Sequence, residues 1–318
     1  MSISPARSLP PAPLDSAPTS AIKRIITFSL SLFVFVACVK PAVAQPYLFT
    51  DTDTDLGHRP FWANILFFRA GEGKMTLTEV FVEIPFASIT FVKTGKGYEA
   101  KVEGGAIFED ANGFQTIGDA ISDTILADDF EATKSRSKTH LFYLPFQIEP
   151  GKYTLRVVVE DGHTGNQFTG ACKIKVPSFH NSQLQLSSLQ LARHIKFSSA
   201  ESPLNKNGRL VIPNVPQIFS SNKPSCFLYF EVYNLMPMSS STDSFQVQCR
   251  ISRVGKDVRL ASWNIPQSDT NVAVSLQLNF KDLIPGDYML TVTIVDQDGE
   301  REGKAVAQFC IIHPSVML

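Results

Sequence analysis

Two stretches of the chain decide its fold: IEPGKYTLRVVVED, Ile148–Asp161, and LIPGDYMLTVTIVD, Leu283–Asp296. Aligned on Pro150-Gly151-Lys152-Tyr153 and Pro285-Gly286-Asp287-Tyr288, they lie 135 residues apart. Tyr153, Leu155, Val157 and Val159 then fall on Tyr288, Leu290, Val292 and Ile294. Apolar residues at every second position are the signature of a half-buried strand, because successive side chains point to opposite faces. Each stretch closes on an aspartate, Asp161 or Asp296, before a Gly-bearing turn. Each is followed by a last strand, GACKIKVP or AQFCIIHP, that stops at a proline. An offset of this length is too long for a solenoid unit and suits a tandem domain.

A Tyr that opens a strand directly after a Pro-Gly turn has a defined job in β-sandwiches. Its ring packs on the core edge while its hydroxyl bonds upstream backbone, pinning the crossover between the two sheets. Tyr153 and Tyr288 are therefore expected to be tyrosine corners. The position two residues later, a cysteine in antibody domains, is Leu155 or Leu290, so no inter-sheet disulfide of that kind is expected.

The same period-two pattern recurs outward from these stretches. In TEVFVEIPF, Val80, Val82 and Ile84 alternate with Glu79, Phe81 and Glu83; in NVAVSLQLNF, Val272, Val274, Leu276, Leu278 and Phe280 alternate with small or polar residues. Turn chemistry such as KTGKG, DANG, DGHTG, NKNG and DQDG separates the runs, and no helical stripe is sustained. The fold class expected is all-β: two tandem immunoglobulin-like or fibronectin-like β-sandwich domains after an N-terminal signal peptide. The boundaries read as a signal peptide over 1–44, a polar leader over 45–59, sandwiches over 60–177 and 184–314, and a linker over 178–183.

The signal peptide rests on Lys23 and Arg24, the apolar run Ile25–Val39, and the small residues Ala42 and Ala44 before Gln45. FVAC, ending at Cys38, resembles a lipobox and gives the alternative of a lipid-anchored chain, although Phe35 fits that motif poorly. Cleavage after Ala44 would remove Arg7, Lys23, Arg24 and Lys40 against Asp15, taking the formal charge from −1 to −4. Such a mildly acidic composition gives no sign of the basic face that nucleic acid would need. No later apolar run approaches the ~20 residues of a membrane helix.

The stretches TEVFVEIPFASITFVKTGKGYEAKVE, LPFQIEPGKYTLRVVVED and IPNVPQIFSSNKPSCFLYFEVYNL resemble, in order, the N-terminal region of GWxTD-domain proteins, which are exported bacterial proteins. The likeness covers most of residues 60–312. The C-terminal domain that gives this family its name is not matched, since neither Trp62 (PFWAN) nor Trp263 (ASWNI) sits in a Gly-Trp-x-Thr-Asp motif. The resemblance implies an exported, envelope-associated accessory role and two β-modules.

Residues with chemistry are scattered. Asp51, Asp53 and Asp55 alternate as in a calcium loop, but the Gly and Glu that an EF-hand needs next are Leu56 and Trp62. His58, His140, His163, His180, His194 and His313 form no metal-ligand spacing. Nucleophile-elbow, phosphate-loop and dinucleotide patterns are absent, so no catalytic residue, metal or cofactor is expected. Cys226 shares a strand face with Leu228, Phe230 and Val232, and Cys249 with Val247 and Ile251. These two are the one plausible bridge, and buried free thiols are the expected state. Cys172 sits with Phe168, Ile174 and Val176. Aligning the last strands at their prolines sets Cys310 opposite Lys173, an outward position.

The functional expectation is an exported, non-catalytic binding or scaffolding protein of the bacterial envelope or periplasm, with a protein or glycan partner. The alternatives are a carbohydrate-binding module, for which Phe81 and Tyr229 are the candidate exposed aromatics, or a polysaccharide-acting enzyme with a site assembled from loops.

Overall fold

The structure, a computed structural model, describes residues 47–48, 60–71, 73–223, 225–240, 242–297 and 299–313. The expected signal peptide, Cys38, the Asp51, Asp53, Asp55 set and His58 lie outside those residues. The first repeat contributes β1 (Tyr47–Leu48), β2 (Trp62–Arg69), β3 (Thr76–Pro85), β4 (Val92–Thr94), β5 (Gly97–Glu109), β6 (Gln115–Ala127), β7 (Thr139–Ile148), β8 (Gly151–Asp161) and β9 (Gln167–Val176). A single α-helical turn, Phe130–Thr133, interrupts them; Asp129 caps it by accepting from the Ala132 amide. The second repeat contributes β10 (Gln185–Leu186), β11 (Gln190–Phe197), β12 (Asn205–Lys206), β13 (Arg209–Pro213), β14 (Ile218–Ser220), β15 (Ser225–Tyr233), β16 (Ser244–Arg253), β17 (Lys256–Pro266), β18 (Val272–Asn279), β19 (Gly286–Val295) and β20 (Glu302–Ile312).

These strands form four sheets, ordered β1-β2-β3-β7, β4-β5-β8-β9 with β6 along the other side of β5, β10-β15-β11-β13-β12 with β18 on β15, and β14-β20-β19-β16-β17. Alternation sends one face of each sheet into a core. Val80, Val82, Ile84, Phe142 and Leu144 from the first sheet meet Val102, Phe108, Leu155, Val157 and Val159 from the second. Cys226, Leu228, Phe230 and Val232 meet Val247, Cys249, Ile251, Leu290, Val292 and Ile294 in the other repeat. The chain is thus all-β, with two packed sheet pairs.

The register shows how closely the repeats agree. Gly151 pairs with Val176 and Gly286 with Ile311, so the 135-residue offset carries through both strands of each hairpin. That register sets Cys310 at the equivalent of Lys175, two residues from the Lys173 equivalence obtained by aligning prolines. A two-residue slip preserves the face, and Cys310 is half-buried on the outer side, opposite Asp287.

Both corners are built. The Tyr153 hydroxyl donates to the Glu149 carbonyl (3.1 Å), and the Tyr288 hydroxyl to the Ile284 carbonyl (2.7 Å). Gly286 is required by its turn: its φ of 145° is hostile to other residues, and an added Cβ would lie 2.6 Å from the Arg253 guanidinium. The aspartates that end the two strands are also a matched pair. Asp161 accepts from the amides of Thr90 (2.7 Å), His163 (2.9 Å) and Thr164 (3.2 Å). Asp296 accepts from the amides of Met236 (2.9 Å) and Gln297 (2.9 Å), with Arg301 at 3.3 Å. Each buried carboxylate ties a strand end to a loop from elsewhere in its own repeat. All four cysteines of the described residues are free thiols.

Candidate functional site

The decisive departure from the sequence reading lies on β2, β3 and β15. Glu79, Phe81 and Glu83 point away from the first core, as alternation requires, yet all three are buried. The second repeat covers them. Leu66, Phe68 and Phe81 form a third apolar cluster with Ala192, Val211, Val215 and Tyr229. The outer faces of the first repeat's four-stranded sheet and the second repeat's six-stranded sheet are therefore pressed together in a seam, and the four sheets stack in series.

This overturns Phe81 and Tyr229 as exposed aromatics for a glycan. Both are 0% exposed; Tyr229 lies 6.2 Å from the Phe68 ring, and Phe81 lies 5.1 Å from Tyr143. Alternation correctly placed them off their own cores but could not see what lies on the other side. The linker region is likewise engaged with the first repeat: Phe179 is buried in the first core beside Tyr233, and His180 Nε2 lies 3.1 Å from the Met75 carbonyl.

The seam concentrates the molecule's buried polar chemistry. Lys206, from the short strand β12 beside the NKNG turn, reaches into it with a side chain only 8% exposed. Its Nζ hydrogen-bonds to Glu79 Oε2 and to Gln190 Oε1 (2.8 Å) and rests 3.9 Å above the Phe68 ring. Glu79 accepts a second bond from the Tyr143 hydroxyl (2.9 Å). Burial pushes the Lys206 ammonium below its ordinary range, against the opposing pull of Glu79 and Glu231. Burial, reinforced by the neighbouring carboxylate, pushes the Tyr143 phenol well up.

A second knot centres on Glu231, which accepts from the Tyr229 hydroxyl (2.7 Å), the Tyr233 hydroxyl (2.7 Å) and Asn207 Nδ2 (3.0 Å). Tyr233 in turn accepts from the Arg69 amide (3.0 Å), and the Arg69 guanidinium stacks 4.4 Å from its ring. The same guanidinium donates to Asn271, the Phe179 carbonyl and Asn234. Arg193 closes a third contact on Glu83 at 2.5 Å. Main chain joins in as well: the Ser188 amide donates to the Phe67 carbonyl, and the Phe67 amide donates to Ser188 Oγ, both at 2.9 Å.

The sequence reading missed Lys206, Gln190, Arg69 and Arg193. One signal was available: Glu79 and Glu83 flank Phe81 on one face of β3, and Tyr229 and Tyr233 flank Glu231 on one face of β15. Carboxylates interleaved with aromatics on the same face fit a covered surface better than a solvated one.

Elsewhere the polar residues stay apart. His140 faces Asp123 at 3.3 Å, and His194 packs on Phe227. Among the described residues no three His, Cys, Asp or Glu side chains are grouped to hold a metal. The most exposed aromatics, Phe114 and Phe197, sit on separate elements, with Arg209 over Phe197 at 5.4 Å.

No family model matches the chain, and no curated protein matches it. Among solved structures, red sea bream transglutaminase aligns over 79% of this chain and 31% of its own, with 11% identity and a TM-score of 0.22. Dimeric latent PorU from Porphyromonas gingivalis aligns over 79% and 20%, with 11% identity and a TM-score of 0.26. The chain therefore corresponds to well under two thirds of either protein's length.

Proposed function

We propose that this chain is an exported, non-catalytic binding or scaffolding protein of the bacterial envelope whose two sandwiches act as one body. The observation that supports this reading most is the seam. The residues best suited to chemistry or to a ligand platform, Lys206, Glu79, Glu231, Phe81 and Tyr229, are committed to holding the repeats together. The Lys23–Ala44 processing pattern supports export, and the ordered likeness to GWxTD-domain proteins supports the envelope. No helix of the described residues is long and apolar enough to cross a membrane.

Contacts are then left to the open sheet edges. Among the described residues β6 pairs only with β5, and it is exposed over most of its 13 residues, with Ile121 and Leu126 in water. β17 holds the equivalent place beside β16. An unpaired edge offers a row of backbone donors and acceptors to an incoming strand. Fractionation should find the protein outside the cytoplasm. A pull-down from envelope extract with the wild type and with Ala120→Pro, which removes from the β6 edge an amide that Asp119 Oδ1 holds in the isolated chain (2.9 Å), tests the contact. A partner retained by the wild type and lost by the folded variant supports the reading; retention on polysaccharide with no protein partner overturns it.

A further inference from the structure

The Lys206 cluster is a costly way to build stability. Buried ion pairs roughly break even against well-packed apolar residues, and this one leaves Gln190 Nε2 buried with no hydrogen-bond partner. The arrangement suits reaction better. An amine nitrogen hydrogen-bonds to the carboxamide oxygen of Gln190 (2.8 Å), one bond from the carbonyl carbon. A carboxylate, Glu79 Oε2, touches the same nitrogen from another side. The rings of Phe68, Phe81 and Tyr229 surround it at 3.9, 5.8 and 5.7 Å. Gln190 is 1% exposed, so bulk water is kept from competing with the amine.

We propose that Lys206 and Gln190 join in an intramolecular isopeptide bond, with Glu79 as the catalytic proton carrier. Glu79 takes a proton from the Lys206 ammonium, leaving a neutral amine. The amine lone pair forms the Nζ–Cδ bond to Gln190. Within the tetrahedral adduct the attacking nitrogen passes a proton to Nε2; the Cδ–Nε2 bond breaks, and the departing ammonia takes the proton held by Glu79 and leaves as ammonium. Glu79 ends as a carboxylate, and no oxidant or cofactor is required. Burial favours the uncharged amine that the first step needs, and fixed proximity replaces a bimolecular encounter.

The catalyst and the reactants come from different repeats: Glu79 is on β3, whereas Gln190 and Lys206 are on β11 and β12. The bond can therefore form only once the seam has closed, and it then ties β11 to the β12 turn that holds Lys206 in place. It is independent of any partner, so failure of the pull-down leaves it standing, and its own failure leaves the scaffolding reading standing.

Peptide mapping of the purified, denatured protein decides the matter. The expected product is one cross-linked peptide joining the Gln190 and Lys206 segments, lighter by one ammonia than the sum of its parts. Intact mass alone is insufficient, because cyclisation of an N-terminal glutamine releases the same ammonia. Recovery of both residues unmodified overturns the proposal, as does a Lys206–Glu79 amide formed with loss of water. Glu79→Gln, checked for a native circular dichroism spectrum, should leave the peptides uncoupled. Coupling in that variant overturns the role of Glu79. Should the variant not fold, the wild-type map still decides.

Discussion

Removing one hydroxyl from each copy of the corner tyrosine tests the duplication with its own internal control. In Tyr288→Phe the ring remains, so its stacking on Phe309 (5.4 Å) and its place beneath Arg253 (5.7 Å) are retained. What is lost is a 2.7 Å hydrogen bond from a residue that is 4% exposed, and the Ile284 carbonyl is left without that donor. Losing a short hydrogen bond made by a buried phenol costs about 1.5 kcal/mol. In Tyr153→Phe the matching bond is longer, 3.1 Å, and lies at the surface, so water replaces the donor. The cost there is about 0.5 kcal/mol. Urea unfolding followed by tryptophan fluorescence reads both, because Trp263 packs on the second core and Trp62 on the seam. With a denaturant slope of about 3 kcal/mol/M, the midpoint falls by about 0.5 M for Tyr288→Phe and about 0.2 M for Tyr153→Phe. Equal costs, a reversed order, or an unchanged midpoint for Tyr288→Phe would refute the reasoning that these hydroxyls pin the crossovers.

Three further outcomes follow from the packing. The thiols of Cys226 and Cys249 are buried, which pushes Cys249 up to about 12 and Cys226 higher still. Native protein at pH 8 should label slowly at both, while alkylation in denaturant without reductant should modify Cys172, Cys226, Cys249 and Cys310 alike; a protected Cys226–Cys249 pair would contradict the free thiols. Burial by itself would raise the Asp161 carboxyl, but hydrogen bonds from Thr90, His163 and Thr164 outweigh it and hold the folded-state pKa below its ordinary value. Its contribution is then fully present above the unfolded pKa of about 4 and fades as pH falls through the folded value. Asp161→Asn should cost about 1–3 kcal/mol at pH 7, and the gap to wild type should shrink on acidification; a gap that widens as pH falls would be inconsistent with that sign. Phe81→Ala, at the centre of the seam, should cost about 3–5 kcal/mol and separate the urea transition into two steps. A single unaltered step would show that the repeats do not depend on each other through this contact.

Much of the fold could be read from the chain because period-two alternation reports directly on which side chains share a face. That is why the Cys226 and Cys249 faces, both tyrosine corners and the repeat offset all emerge from local pattern. The seam did not, and the reason is geometric. Alternation distinguishes one face of β3 from the other, but a face turned from its own core meets either water or another sheet, and the pattern is the same in both cases. Phe81 and Tyr229 carry the pattern of surface aromatics for that reason. Lys206 was harder still. NKNG is a strong turn signal, and its lysine looks like a solvated loop residue until Glu79, 127 positions away, is found against it. Gln190 carries no local mark at all.

The two-sided burial of β3 also bears on descent. Nine of its ten residues are buried, Leu77 alone being partly open. On an ordinary sandwich strand every second position is free to drift, because water accepts almost any polar residue. On β3, and along much of β15, both sets of positions face protein, so a substitution tolerated by one neighbour must also suit the other. Drift is thereby channelled into β6 and β17, whose side chains mostly face solvent. Ancestry should leave its clearest trace on TEVFVEIP and YFEVY, the strands with no surface to spare, and any distant kinship of this chain should first become visible there.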